Sequence, residues 1–146
     1  MSLTRKEAAV PHYFDAFIAP IRDNNVAQVL VTALLIGIVM DVVLGLVSAA
    51  LCHEIKPSKM REGIQRKIAE LGILVAADII DGMLSGGFQL GIAPVLVSTA
   101  SFLSLMELFS ICENCIKMNP DFVDVPLVGT VARLLHEAKG GNDEQL

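Results

Sequence analysis

"LLIGIVMDVVLGLVSAAL", residues 34–51, decides the fold: it reads as the middle of a membrane span, with one carboxylate, Asp41, inside it. Extended in both directions, the run from Val26 to Cys52 holds 27 residues and a single charge. As a helix it would be about 40 Å long, against a hydrocarbon core of about 30 Å. Between residues 30 and 50 stand twelve Leu, Ile or Val. Together they favour insertion by roughly 5 kcal/mol, against about 3 kcal/mol for one central acid. The segment is expected to insert on its own.

The rest of the 146-residue chain fits that solvent. Hydrophobic residues make up 53%, charged residues only 18% and aromatics 5%, and mean hydropathy is +0.61. Soluble domains carry about 25% charged residues. Runs of this length without a polar face do not suit a bundle of buried helices in water. A net charge of -5 and no basic stripe argue against nucleic acid as a partner. Arg5 and Lys6 are followed by Pro11, His12 and Asp15 where a signal peptide needs an unbroken apolar core. Ser2 and the ending "DEQL" offer no lipidation motif.

Two further spans follow. Gly82 to Met106 is 25 residues without a charge, and Ile68 to Phe88 is apolar apart from Glu70, Asp78 and Asp81. They are expected to form a hairpin turning at "SGGFQLG", residues 85–91, where Gly86, Gly87 and Gly91 break helical continuity. The expectation is an all-α integral membrane protein with three transmembrane helices, at about 26–52, 68–88 and 90–112, and a short C-terminal amphipathic helix over 126–140. Residues 1–25 form an N-terminal segment, with an interfacial helix as one reading. Residues 26–116 form the transmembrane domain, and 117–146 a cytoplasmic helix and tail, of which "GGNDEQL" reads as disordered. With three crossings, eight Lys and Arg fall on one side, five of them in the loop "HEIKPSKMREGIQRK", and three on the other. The positive-inside rule then places the N-terminus outside and the C-terminus in the cytoplasm.

Gly37, Asp41, Gly45 and Ser48 fall within about an 80° arc of the first helix. Glycines four apart admit a close helix neighbour, which makes this a helix-association face. Asp41 would be a carboxyl kept neutral or bonded to a neighbouring helix, or one in contact with water. On the second helix Lys67, Glu70, Asp78, Asp81 and Ser85 share a similar arc, a wettable stripe with two readings. It lines a pore in an oligomer, or it bonds to Ser98, Ser101 or Ser104 of the third helix. Lone aliphatics cannot offset its acids, so the second helix needs partners or water. Glu107 reads as an interfacial acid.

Cys112-x-x-Cys115, with Cys52 and His53 on the same side, is the one spacing suggestive of a metal, and no second ligand pair supports it. The cysteines read as free thiols. His12, His53 and His136 lie in separate segments, no phosphate loop is present, and no nucleophile stands beside the acids. The sequence points to no enzyme, cofactor or metal.

Several short motifs, in order, resemble the holin family of phage lysis and toxin secretion over residues 39–138. "DVVLG" resembles an Asp-x-x-x-Gly in its first span, through Asp41 and Gly45. The basic stretch ends in Gly63, Ile64, Arg66 and Lys67. Asp81 sits late in the second span, "MELFSICENCIKMNP" carries Glu107, Ser110, Ile111, Glu113 and Asn114, and Pro126 opens the last helix. The resemblance implies a protein that oligomerises in the bacterial cytoplasmic membrane and opens lesions releasing endolysin or a secreted protein. Its partners would be the lipid bilayer, further copies of itself, an antiholin and, functionally, endolysin. An antiholin-like regulator and a small ion-channel or transporter subunit are the rival readings. The N-terminal 25 residues and the Cys112/Cys115 pair depart from the family pattern.

Overall fold

The computed structural model describes residues 12–53, 56–88 and 92–140, all of whose regular structure is helical. Helix α1 (His12–Arg22) leads into α2 (Asn25–Leu51), α3 (Pro57–Phe88) and α4 (Pro94–Met118). A 3-10 turn (Pro120–Asp124) then joins α4 to α5 (Pro126–Gly140). The break between α1 and α2 is local chemistry. Asn24 Oδ1 accepts from the N–H of Val26 at 3.0 Å and of Ala27 at 3.1 Å, capping α2. The residues "GNDEQL" beyond Gly140, which make up all but the first residue of the tail "GGNDEQL", the first eleven residues and Gly91 lie outside the described set.

Helices α2 and α4 form the central contact and run parallel. Asp41 meets Asn114, and further along Cys52 Sγ lies 3.8 Å from the Lys117 carbonyl. The buried residues of α2 are Ala27, Leu34, Asp41 and Ser48, a strict seven-residue repeat. Those of α4 are Leu96, Ala100, Leu103, Glu107 and Cys112, which begin on alternating steps of four and three. These are the spacings of a narrow coiled-coil seam. α3 runs antiparallel to both, since Lys67 meets Glu107 while Asp81 meets Leu96.

Outside that seam the helices are apolar and uncovered. Val29 is 67% exposed, and Ile36, Val39, Phe102 and Leu105 are likewise exposed. Monomers in water do not leave such continuous surface bare. Among the described residues α2 and α4 are long and apolar enough to cross a membrane. The bundle is a membrane protein whose apolar surface is solvated by lipid.

Two boundaries differ from the sequence expectation. The stretch "PSKMREGIQRK" is not loop: α3 starts at Pro57, whose ring suits a first helical turn, and continues through Lys67 without a break. The glycines at 86 and 87 do not end it either, because α3 runs to Phe88. Their cost to a helix is only about 1 kcal/mol each, and the lack of a side chain is used nearby for packing. A Cβ on Gly82 would lie 3.0 Å from the Ala16 carbonyl oxygen and 3.1 Å from the Phe17 ring, and one on Gly86 3.4 Å from Ala16 Cβ. The small residues of α3 admit α1.

Candidate functional site: a buried ionic cluster between three helices

Lys67, on the third turn of α3, projects into the seam between α2 and α4. Its Nζ lies 2.8 Å from Asp41 Oδ2 and 2.5 Å from Glu107 Oε1, touches the second Glu107 oxygen, and lies 3.5 Å from Glu70 Oε2. One ammonium therefore serves three carboxylates, and all four side chains are buried, Glu107 to 2% exposure. Arg66, half exposed, adds longer contacts of 3.7 Å to Asp41 and 3.6 Å to Glu70, and its Nη2 donates to Ser110 Oγ at 3.4 Å. Asn114 Nδ2 donates to Asp41 Oδ1 at 2.9 Å.

The backbone lets this happen because both glycines of α2 face α4. A Cβ on Gly37 would lie 3.1 Å from Glu107 Cβ, and one on Gly45 3.6 Å from Asn114 Nδ2. Gly37, Asp41 and Gly45 are thus set against the chain's own α4 in the single molecule, and Ser48 is buried as well. In the low dielectric of such a seam a lone charge is very costly, and a paired one survives only with good geometry.

The other half of the α3 stripe is satisfied differently. Asp81, fully buried, accepts from the backbone N–H of Leu96 at 2.6 Å and of Val95 at 3.3 Å. Helix α4 opens with Ala93 and Pro94 and has no side-chain cap of its own. Asp81 supplies that cap from the neighbouring helix, where the helix dipole also favours an anion. Asp78 is half-buried and leaves Oδ1 without a hydrogen-bond partner; Ser85 is half-buried as well. Two of the four serines of α4 turn back on their own helix: Ser98 donates to the Pro94 carbonyl, and Ser101 to that of Val97 at 2.8 Å. Ser104 Oγ has no hydrogen-bond partner.

Glu107 is therefore no interfacial acid but the innermost member of the cluster. The sign that could have found it is the presence of a single Lys in the arc of α3 acids and one acid in the otherwise uncharged core of α4. Opposite charges within apolar helices need each other. Glu113 lies at the edge, 3.3 Å from Lys117, and Gly63 faces open space. Cys112 is buried, Cys115 half-buried and Cys52 exposed, all as free thiols. Among the described residues no group of three or more His, Cys, Asp or Glu is arranged to hold a metal ion.

The cluster gathers Asp41, Arg66, Lys67, Glu107, Ser110 and Asn114 from three helices. A family model described as the bacteriophage holin family matches residues 24–130, which include α2, α3, α4 and the start of α5 and leave out α1. No curated protein and no solved structure matches the chain.

Proposed function

The chain belongs to the bacteriophage holin family, and we propose that it acts as a holin, oligomerising in the bacterial cytoplasmic membrane and opening lesions that release endolysin or a secreted protein. The observation that carries this reading is the ionic cluster, in which polar groups of three membrane-embedded helices are folded inward upon one another. Such a monomer is harmless to a membrane, because its outer surface is lipid-compatible. It also stores the polar surface that a water-filled hole requires.

Parallel packing of α2 and α4 supports three crossings, with residues 68–88 of α3 as the returning span. A chain leaving α2 on one side must recross before entering α4 in the same direction. The excess of Lys and Arg at the α2–α3 end supports an N-terminus outside and a C-terminus in the cytoplasm. Mechanistically, neighbouring copies replace α4 on the glycine face of α2, and the stripe Lys67, Glu70, Asp78, Asp81 and Ser85 turns to the lumen. The trade of internal for intermolecular packing depends on concentration, so it gives a delayed switch.

Inducible expression in a bacterial host with a membrane-potential dye and a cytoplasmic hydrolase as reporter tests this. Abrupt depolarisation followed by escape of the folded hydrolase is expected. Membrane accumulation with undisturbed respiration would indicate an antiholin-like regulator. Depolarisation that is ion-selective and releases no protein would indicate a channel subunit. A variant with Asp78→Leu should insert normally yet delay or abolish lysis.

A further inference from the structure

Where α2 and α4 end and α3 begins, the three helices enclose a cleft of about 830 Å³. Its floor is the Asp41–Lys67 pair with the Arg66 guanidinium beside it, and Lys56, Lys59 and Lys117 with Glu62 and Glu113 line it nearer the helix ends. In all, five cations and three carboxylates line the cleft, with Lys67 and Arg66 held at the cluster and Lys117 lying 3.3 Å from Glu113. Its wall is of the opposite character: Val42, Leu46 and Ile64 line the cleft and are exposed.

The level of this cleft follows from the helix ends. Cys52, just past α2, lies beside Lys117 in the last turn of α4. The mouth is therefore at the boundary where apolar helix gives way to water, and the apolar wall runs from it towards the bilayer centre. The first turn of α3 points its positive dipole end at the same place. Gly63 lines the cleft as well, and a Cβ there would meet nothing within 4 Å. A lipid-facing basic pocket between helices, at headgroup depth, with an apolar wall below it, has the chemistry of an anionic phospholipid site.

We propose that this cleft binds one anionic phospholipid, its phosphate among Lys56, Lys59 and Lys117 and an acyl chain along Val42, Leu46 and Ile64. The bound lipid would tie the N-terminal turns of α3 to the ends of α2 and α4, next to the buried cluster. The site rests on the chain being a membrane protein and not on lesion formation, so binding is read without lysis.

The test uses the full chain in nanodiscs of phosphatidylcholine, with or without a minor fraction of phosphatidylglycerol, and native mass spectrometry of the released protein. One phosphatidylglycerol should remain bound to the wild type, in preference to phosphatidylcholine. Gly63→Leu, which fills the cleft while replacing a poor helix former, should lower occupancy about tenfold. So should Lys56→Gln combined with Lys59→Gln, which decides the matter if the leucine variant misfolds. Arg61→Gln, in the same basic stretch but outside the cleft lining, should change nothing. Equal retention of both lipids would overturn the proposal. So would an equal loss with Arg61→Gln, which means diffuse attraction, or full displacement by millimolar inorganic phosphate, which means a free-anion site.

Discussion

The two halves of α3 bury carboxylates in different ways. In its N-terminal half, Glu70 and the acids it meets from α2 and α4 converge on a cation, the Lys67 ammonium. In its C-terminal half, Asp81 meets no cation among the described residues and is held by two backbone N–H groups at the start of α4. A cation can be shared by several acids and ties three helices together. A helix N-terminus accepts one acid and fixes only the hairpin. The first arrangement is therefore the more consequential to break, and the second the more tolerant of a neutral substitute.

Lys67→Met puts the contrast to its strongest test. It leaves three buried carboxylates without an ammonium, and removal of one partner of a buried ion pair costs about 3–5 kcal/mol. Accumulation in the membrane fraction and the thermal midpoint in detergent should both collapse, while Lys67→Arg should retain much of each. A Lys67→Met protein as stable as the wild type would mean that the cluster is not what joins the three helices. Next in size comes Asp81. Asp81→Leu strips α4 of its borrowed cap and leaves two N–H groups without an acceptor, about 1–3 kcal/mol. Asp81→Asn keeps an acceptor oxygen and should cost well under half of that. If the asparagine variant were as damaged as the leucine one, charge and not hydrogen bonding would be the requirement, and the two halves of α3 would be alike.

Gly82, one residue on, probes what surrounds that cap. Its missing side chain lets α1 approach, so Gly82→Ala must push back the Ala16 carbonyl and the Phe17 backbone. Overpacking of this kind costs about 1 kcal/mol or a little more. Faster hydrogen exchange in α1, with α2 and α4 unchanged, is the expected signature.

How much of this was legible follows from the same residues. The helical class, the membrane solvent and the face shared by Gly37, Asp41 and Gly45 come straight from periodicity, because each depends on one helix alone. The arc holding Lys67, Glu70 and Asp81 was equally visible. What met it was not: placing Glu107 against Lys67 requires the register between two helices, and no spacing within one segment fixes that. The glycine at 86 shows the same limit. A break and a close approach use the same residue, and only the partner, here Ala16 of α1, distinguishes them.

The smallest effect belongs to a third way of accommodating charge, in water. Arg22 pairs with Asp23 at 2.7 and 3.0 Å and also with Asp15, on the exposed surface where α1 ends. The hydrogen bonds from the Arg22 guanidinium hold the Asp23 carboxyl below its ordinary value of 3.8. A carboxyl with a lowered value stabilises the fold above its ordinary range, and that contribution is lost as the pH falls through the lowered value. Solvent screens an exposed pair, so its share of stability is slight. Opening of α1, read from hydrogen exchange relative to the intrinsic amide rate at each pH and followed from neutral pH down to about 3, should rise modestly in the wild type below the ordinary carboxylate range. In Asp23→Asn that step should be reduced. An effect of Asp23→Asn as large as that of Lys67→Met would erase the distinction between charges paired in water and charges paired in the seam, on which the ionic cluster's importance depends.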